Sequence, residues 1–111
     1  MTITVKVLIP AKIAEATQTT QYTASGVTAI IDKFTATNYS GTAATISVNL
    51  VTSADTAGNQ NLITKTKTLQ PSEVYTFPEL VGQVLSAGAF ISTIAGTATS
   101  INIRASGREV S

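Results

Sequence analysis

Any chemistry in this chain would have to come from a short set of groups. Its acids are Glu15, Asp32, Asp55, Glu73, Glu79 and Glu109, its bases are five lysines and two arginines, and histidine and cysteine are absent. The missing imidazole removes the commonest general base and metal ligand, and the missing thiols remove disulfides and thiolate metal sites. Nucleophilic catalysis would then need a lysine or carboxylate activating a hydroxyl. No Ser–Lys pair stands out among 10 Ser and five Lys. Glycoside hydrolysis would need two carboxylates facing each other across a cleft. Yet Asp55 lies in a polar loop, Glu73 follows a proline turn and Glu109 sits near the end of the sequence.

Residues 53–61, SADTAGNQN, bunch oxygen ligands but carry one Asp, without the acidic repeat of a calcium loop. They read as a solvated, mobile loop. The chain is therefore read as a non-enzyme with no cofactor and no metal. Two binding patterns remain. In TKTK, Lys65 and Lys67 share a strand face and form either a stripe for an acidic partner or a guard against stray strand pairing. Tyr39 is the one tyrosine in a turn and there is no Trp, which is slender provision for stacking sugars in a carbohydrate-binding module.

The bulk composition points the same way. At 111 residues the chain has the length of one domain and can bury roughly 60–70% of its unfolded surface. Seven basic against six acidic residues give a net charge of +1, without the basic stripe of a nucleic-acid binder. Only 12% of residues are charged, while 20 Thr and 10 Ser occupy positions where a free-standing protein carries Lys and Glu. Such weakly repulsive surfaces suit chains that pack against other chains. No apolar run reaches the roughly 20 residues of a membrane helix, and the first 15 residues do not read as a signal peptide. Neither a nucleic acid nor a membrane is expected as a partner.

The elements that position these groups read as β throughout. Residues 2–9 alternate, with Ile3, Val5 and Val7 on one face and Thr4 and Lys6 on the other; Pro10 is expected to end this strand, which could be an N-terminal arm or an edge. A short strand is expected near 18–24, followed by a turn at Ser25-Gly26. Residues 27–38 place Ile30, Phe34 and Ala36 inward with Asp32 as a polar exception. After the turn at 39–41, Ala44, Ile46, Val48 and Leu50 point inward and Thr45, Ser47 and Asn49 outward. These two runs read as a hairpin. Residues 62–69 and 74–77 are further strands around a turn at Pro71. Residues 89–96 and 99–106 read as a second hairpin with Phe90, Ile94, Ile101 and Ile103 inward. The expectation is an all-β, antiparallel jelly roll or β-sandwich of about eight strands in one domain.

One stretch breaks the weave. In PELVGQVL, Pro78 fits a first helical turn, Glu79 a helix N-terminus, and Gly82 a stop. A short helical turn near 78–85 is expected, either plugging one end of the sandwich or docking a partner through Leu80 and Val81.

The phrases IIDKFTATNYSGTAATISVNLV, LQPSEVYTFPELVGQVLSAGAFIS and INIRASGREV resemble small structural proteins of tailed-phage virions, in particular the capsid cement (decoration) proteins of Bordetella-type podophages. The resemblance runs from about residue 22 onward. It implies a jelly-roll domain on the outer face of the head that docks across seams of the major capsid protein. A dimer is the simplest closed self-assembly for such a role, with a trimer as the alternative, and the absence of Cys and of a signal peptide agrees with assembly in the host bacterial cytoplasm. A tail or fibre component that recognises the host is the alternative within that class. From the residues themselves, the expected partner contacts are Thr2, Ile3 and Val5 on the first strand, Lys65 and Lys67 on the threonine-rich strand, and Leu80 and Val81.

Overall fold

A computed structural model describes residues Met1–Ser111. Nine strands form: β1 (Ile3–Ile13), β2 (Thr19–Thr23), β3 (Thr28–Asn38), β4 (Ala44–Val51), β5 (Leu62–Leu69), β6 (Val74–Thr76), β7 (Val84–Leu85), β8 (Phe90–Ala95) and β9 (Ile101–Val110). Thr, Val and Ile dominate them, the residues that suit a pleated, half-buried surface. The only helical element is a 3-10 turn at Asn59–Asn61.

The pairings are nested. β1 pairs with β9, β2 with β8, β3 with both β6 and β7, and β4 with β5, all antiparallel. The chain is thus one long folded ribbon whose tip is the β4–β5 pair. Rolling the ribbon adds the β3–β9 and β4–β8 pairs and closes two sheets. Sheet A runs β1-β9-β3-β6 with β7 beside β3, and sheet B runs β2-β8-β4-β5. This order is a jelly roll.

Both expected hairpins are corrected by this topology. β3 and β4 lie in different sheets, as do β8 and β9, so each connection is an arch across the sandwich. Asn38 organises the first arch. It is fully buried; its Nδ2 donates to the carbonyls of Thr42 (2.8 Å) and Leu69 (2.9 Å), and its Oδ1 accepts from the Ser40 amide and hydroxyl. Its main chain also meets Ser72 and Glu73 at the β5–β6 corner.

Apolar inner faces make the core, with Phe34 edge-on to Phe77 at 4.9 Å and Tyr75 edge-on to Phe77 at 4.7 Å. β4 buries Ala44, Ile46 and Val48 as expected, while Leu50 is half-buried. Bulges explain the positions that differ. Asp32 is an extra residue between the Ile31–Gly107 and Lys33–Ser106 pairs. It shifts the phase of β3, so Ala29 and Ile31 are buried before it and Phe34 and Ala36 after it, and Ile30 turns outward. On β1, Pro10 does not end the strand. It lies on an edge within the second of two register shifts, the one between Ile9 and Lys12, where its missing N–H is tolerated, and Leu8 and Ile9 are both buried beside it. On β8 the buried inner residues are Ile91, Thr93 and Ala95; Phe90 and Ile94 face outward and are half-buried.

The helical turn expected near 78–85 is absent. Two successive turns occupy it, with the Leu80 amide bonded to the Phe77 carbonyl and the Gln83 amide to the Leu80 carbonyl, before β7 begins. Gly82, at φ +83°, closes the second turn in the left-handed region. Loop 53–61 is largely exposed, as expected, and is held by its own hydrogen bonds. Asp55 accepts from the Thr56 amide, and Asn49 of β4 reaches up to the Gly58 carbonyl and the Asn61 side chain. The loop covers Asn49 on the outer face of sheet B.

Candidate interaction surface

Every carboxylate is held by hydrogen bonds within the fold. Three glutamates tie the sheets together. On the β1–β2 side, Glu15 accepts from Lys12 Nζ and from Gln21 Nε2, each at 2.9 Å. On the β5–β6 side, Glu79 accepts from Thr64 Oγ1 (2.6 Å) and Tyr75 Oη (2.8 Å). Near the chain termini, Glu109 accepts from Tyr22 Oη and Lys6 Nζ. The other three are local: Asp32 takes a two-nitrogen grip from Arg108, Asp55 holds its loop, and Glu73 caps the turn at Gln70.

Their ionisation follows from these partners. The bonds from Lys12 and Gln21 lower the Glu15 pKa, and the Arg108 guanidinium lowers that of Asp32. At Glu79, burial opposes ionisation, but the bonds from Thr64 and Tyr75 and the charge of Lys67 outweigh it, and the pKa falls. At Glu109 the Tyr22 bond leads the lowering. Burial and the adjacent carboxylates raise Tyr22 and Tyr75 above the ordinary tyrosine value. No group of three or more His, Cys, Asp or Glu converges, and no helix is long and apolar enough to cross a membrane.

The expected contact residues separate. Lys67 is corrected: the β5 bulge at Thr66, which has φ +44°, turns it to the side of Ile46, where its ammonium lies 4.6 Å from the Tyr75 ring centroid. Lys65 stays exposed on the opposite face without a carboxylate partner. Leu80 is also corrected, because it is fully buried in the core and cannot meet a partner. Val81 is exposed on the turn, as is Tyr39 on the arch. Thr2 exchanges two backbone bonds with Ser111, extending the β1–β9 ladder. Ile3 and Val5 are exposed, Val5 at 83%.

Register shows what Ile3 and Val5 belong to. Across the outer face of sheet A, Val5 lies opposite Arg108, Arg108 opposite Ile30, and Ile30 opposite Val84. The row beside it is Ile3, Val110 and Thr28. Together they form an apolar outer face near the chain termini, crossed by the Arg108–Asp32 pair. Next to it, Lys33 and Arg104, neither with a carboxylate partner, line a shallow dent of about 190 Å³ with Thr35 and Ser106. Sequence reasoning missed Ile30 and Val84 as members of this surface. The signal was Asp32: a carboxylate interrupting an apolar alternation marks the bulge that reverses Ile30.

The four sheet edges differ. β5 is bulged and carries Lys65, β2 is five residues with a register shift, and β6 and β7 are three and two residues long. The first half of β1 alone is straight, apolar on its outer face and free of Pro and bulges, the kind of edge that soluble proteins usually blunt. Comparison with protein-family models, with curated proteins and with solved structures finds no match for this chain.

Proposed function

We propose that the chain is a structural protein of a tailed-phage virion, a capsid cement protein that lies on the exterior of the head and spans seams of the major capsid protein. In this reading it is not an enzyme and assembles onto the shell in the host cytoplasm. The observation that carries the reading is the outer face of sheet A, where Ile3, Val5, Ile30 and Val84 form one apolar surface on a rigid sheet. Jelly rolls serve many functions, so the weight falls on this surface and not on the fold. The internal use of all six carboxylates supports a scaffold in place of a reaction centre. Repetition on a shell multiplies modest contacts, since neighbouring copies that touch gain from avidity.

The test is to add purified chain to heads assembled without it. Saturable co-sedimentation and heads that resist heat better are expected. Failure to bind heads, with binding to tails or fibres, would replace this reading by the tail alternative. Binding to a glycan panel that is lost in Tyr39→Ala would replace it by a carbohydrate-binding module.

A further inference from the structure

The backbone of β1 carries a second, more specific surface. Thr2 and Ser111 bond each other in both directions, at 2.9 Å each way, so this is a closely bonded pair of the antiparallel ladder. Such pairs alternate along a ladder. From Thr2, the residues bonded to β9 are Thr4 and Lys6, opposite Glu109 and Gly107. The N–H and C=O groups of Ile3, Val5 and Val7 therefore point away from β9, toward the open edge. No strand lies there, because β1 is the edge of sheet A.

We propose that two copies of this chain join through this edge, antiparallel, about a two-fold axis at Val5. In that register Val5 bonds Val5 of the second copy, and Ile3 and Val7 bond Val7 and Ile3, giving about six backbone hydrogen bonds. Three features select it. It is the only register that pairs the three outward-pointing strand residues Ile3, Val5 and Val7 solely with one another. A centre at Lys6 would oppose two ammonium groups, whereas a centre at Val5 sets each Lys6 against Thr4. The segment ends at the register shift between Val7 and Ile9, where Leu8 and Ile9 enter the core. The result is one sheet of twice the width, with the Val84–Ile30–Arg108–Val5 row continuing through its two-fold copy. The inference stands on β1 alone and holds in solution, without a capsid.

The protein has no cysteine, so single cysteines report the register. Val5→Cys is expected to cross-link with itself, since bonded pairs set Cα atoms about 5.5 Å apart, within disulfide reach. Ile3→Cys and Val7→Cys are each expected to stay uncross-linked alone and to cross-link when mixed. By sedimentation the natural chain is expected to dimerise at about 100 μM, and Val5→Pro to raise the dissociation constant at least about tenfold. Val5→Pro should keep its fold, because the Val5 N–H has no partner within the chain. A natural chain that stays monomeric at that concentration overturns the proposal. So does Val5→Cys cross-linking no faster than Thr56→Cys, or Ile3→Cys cross-linking alone as fast as the mixture.

Discussion

Replacing Asn38 by Ala tests how the arches are held. The amide is fully buried and fills its hydrogen-bonding capacity: two carbonyls accept from Nδ2, and the Ser40 amide and hydroxyl donate to Oδ1. Truncation leaves the Leu69 carbonyl buried without that donor and frees the 39–42 turn. A lost bond of this kind costs about 1 kcal/mol net, and more where a buried group is stranded, so a loss of about 2–4 kcal/mol is expected. For 111 residues each kcal/mol shifts the melting temperature by roughly 4 °C, giving a fall of roughly 8–16 °C. Urea unfolding followed by circular dichroism measures it, with an unchanged m-value showing that the native and unfolded states keep their compactness. Asn38→Asp adds a sharper check. Its second carboxylate oxygen would face two carbonyls, so it should be less stable than Asn38→Ala at pH 7 and recover relative to it in acid. A loss under about 0.5 kcal/mol in Asn38→Ala, the level of an ordinary surface change, refutes the reasoning.

Other consequences are as direct. A Cβ at Gly107 would land on the Ile30 carbonyl and within 2.9 Å of Leu8 Cδ1. Backbone cannot swing aside, so Gly107→Ala should cost about 3 kcal/mol in urea unfolding. Glu15, Asp32, Glu79 and Glu109 all have lowered folded pKa values. Their stabilisation is complete above the ordinary carboxylate pKa near 4 and is lost as pH falls through the lowered values. Unfolding free energy should therefore be level from pH 7 to about 5 and decline below that, and Glu79→Gln should flatten the decline. Removing residues 1–5 should leave a folded domain, whereas removing residues 1–9 also deletes the buried Leu8 and Ile9 and should lower the melting temperature markedly. Thermal melts of the two truncations separate the cases.

Much of the fold can be read in the residues, and its failures share a cause. Alternation in β4 gave Ala44, Ile46 and Val48 correctly because that strand keeps its pleat across the core. Strand pairing was not legible. Two amphipathic runs joined by a short glycine-bearing link show the same pattern whether they lie side by side or face each other across a sandwich. Only the rest of the chain decides between these, here by placing β9 beside β3 and β8 beside β4. The bulge at Asp32 put Ile30 on the face opposite Phe34, and the bulge at Thr66 turned Lys67 away from the face of Lys65, since one extra residue inverts the alternation across it. The apolar run at residues 80–85 resembled a helix because Leu80 and Leu85 fill the core from a turn and a two-residue strand, where no period exists to read. The shared face of Ile3, Val5 and Val7 was legible because the first half of β1 carries no bulge.

Lysine reactivity on the assembled head tests the central claim most directly. Lys33 lies on the outer face of sheet A and Lys65 on the opposite sheet, both exposed and without carboxylate partners. If sheet A faces the shell, acylation of Lys33 should fall strongly when the chain is bound to heads, while Lys65 reacts as it does in the free chain. Protection of Lys65 with Lys33 unchanged, or no protection of either, would contradict the account.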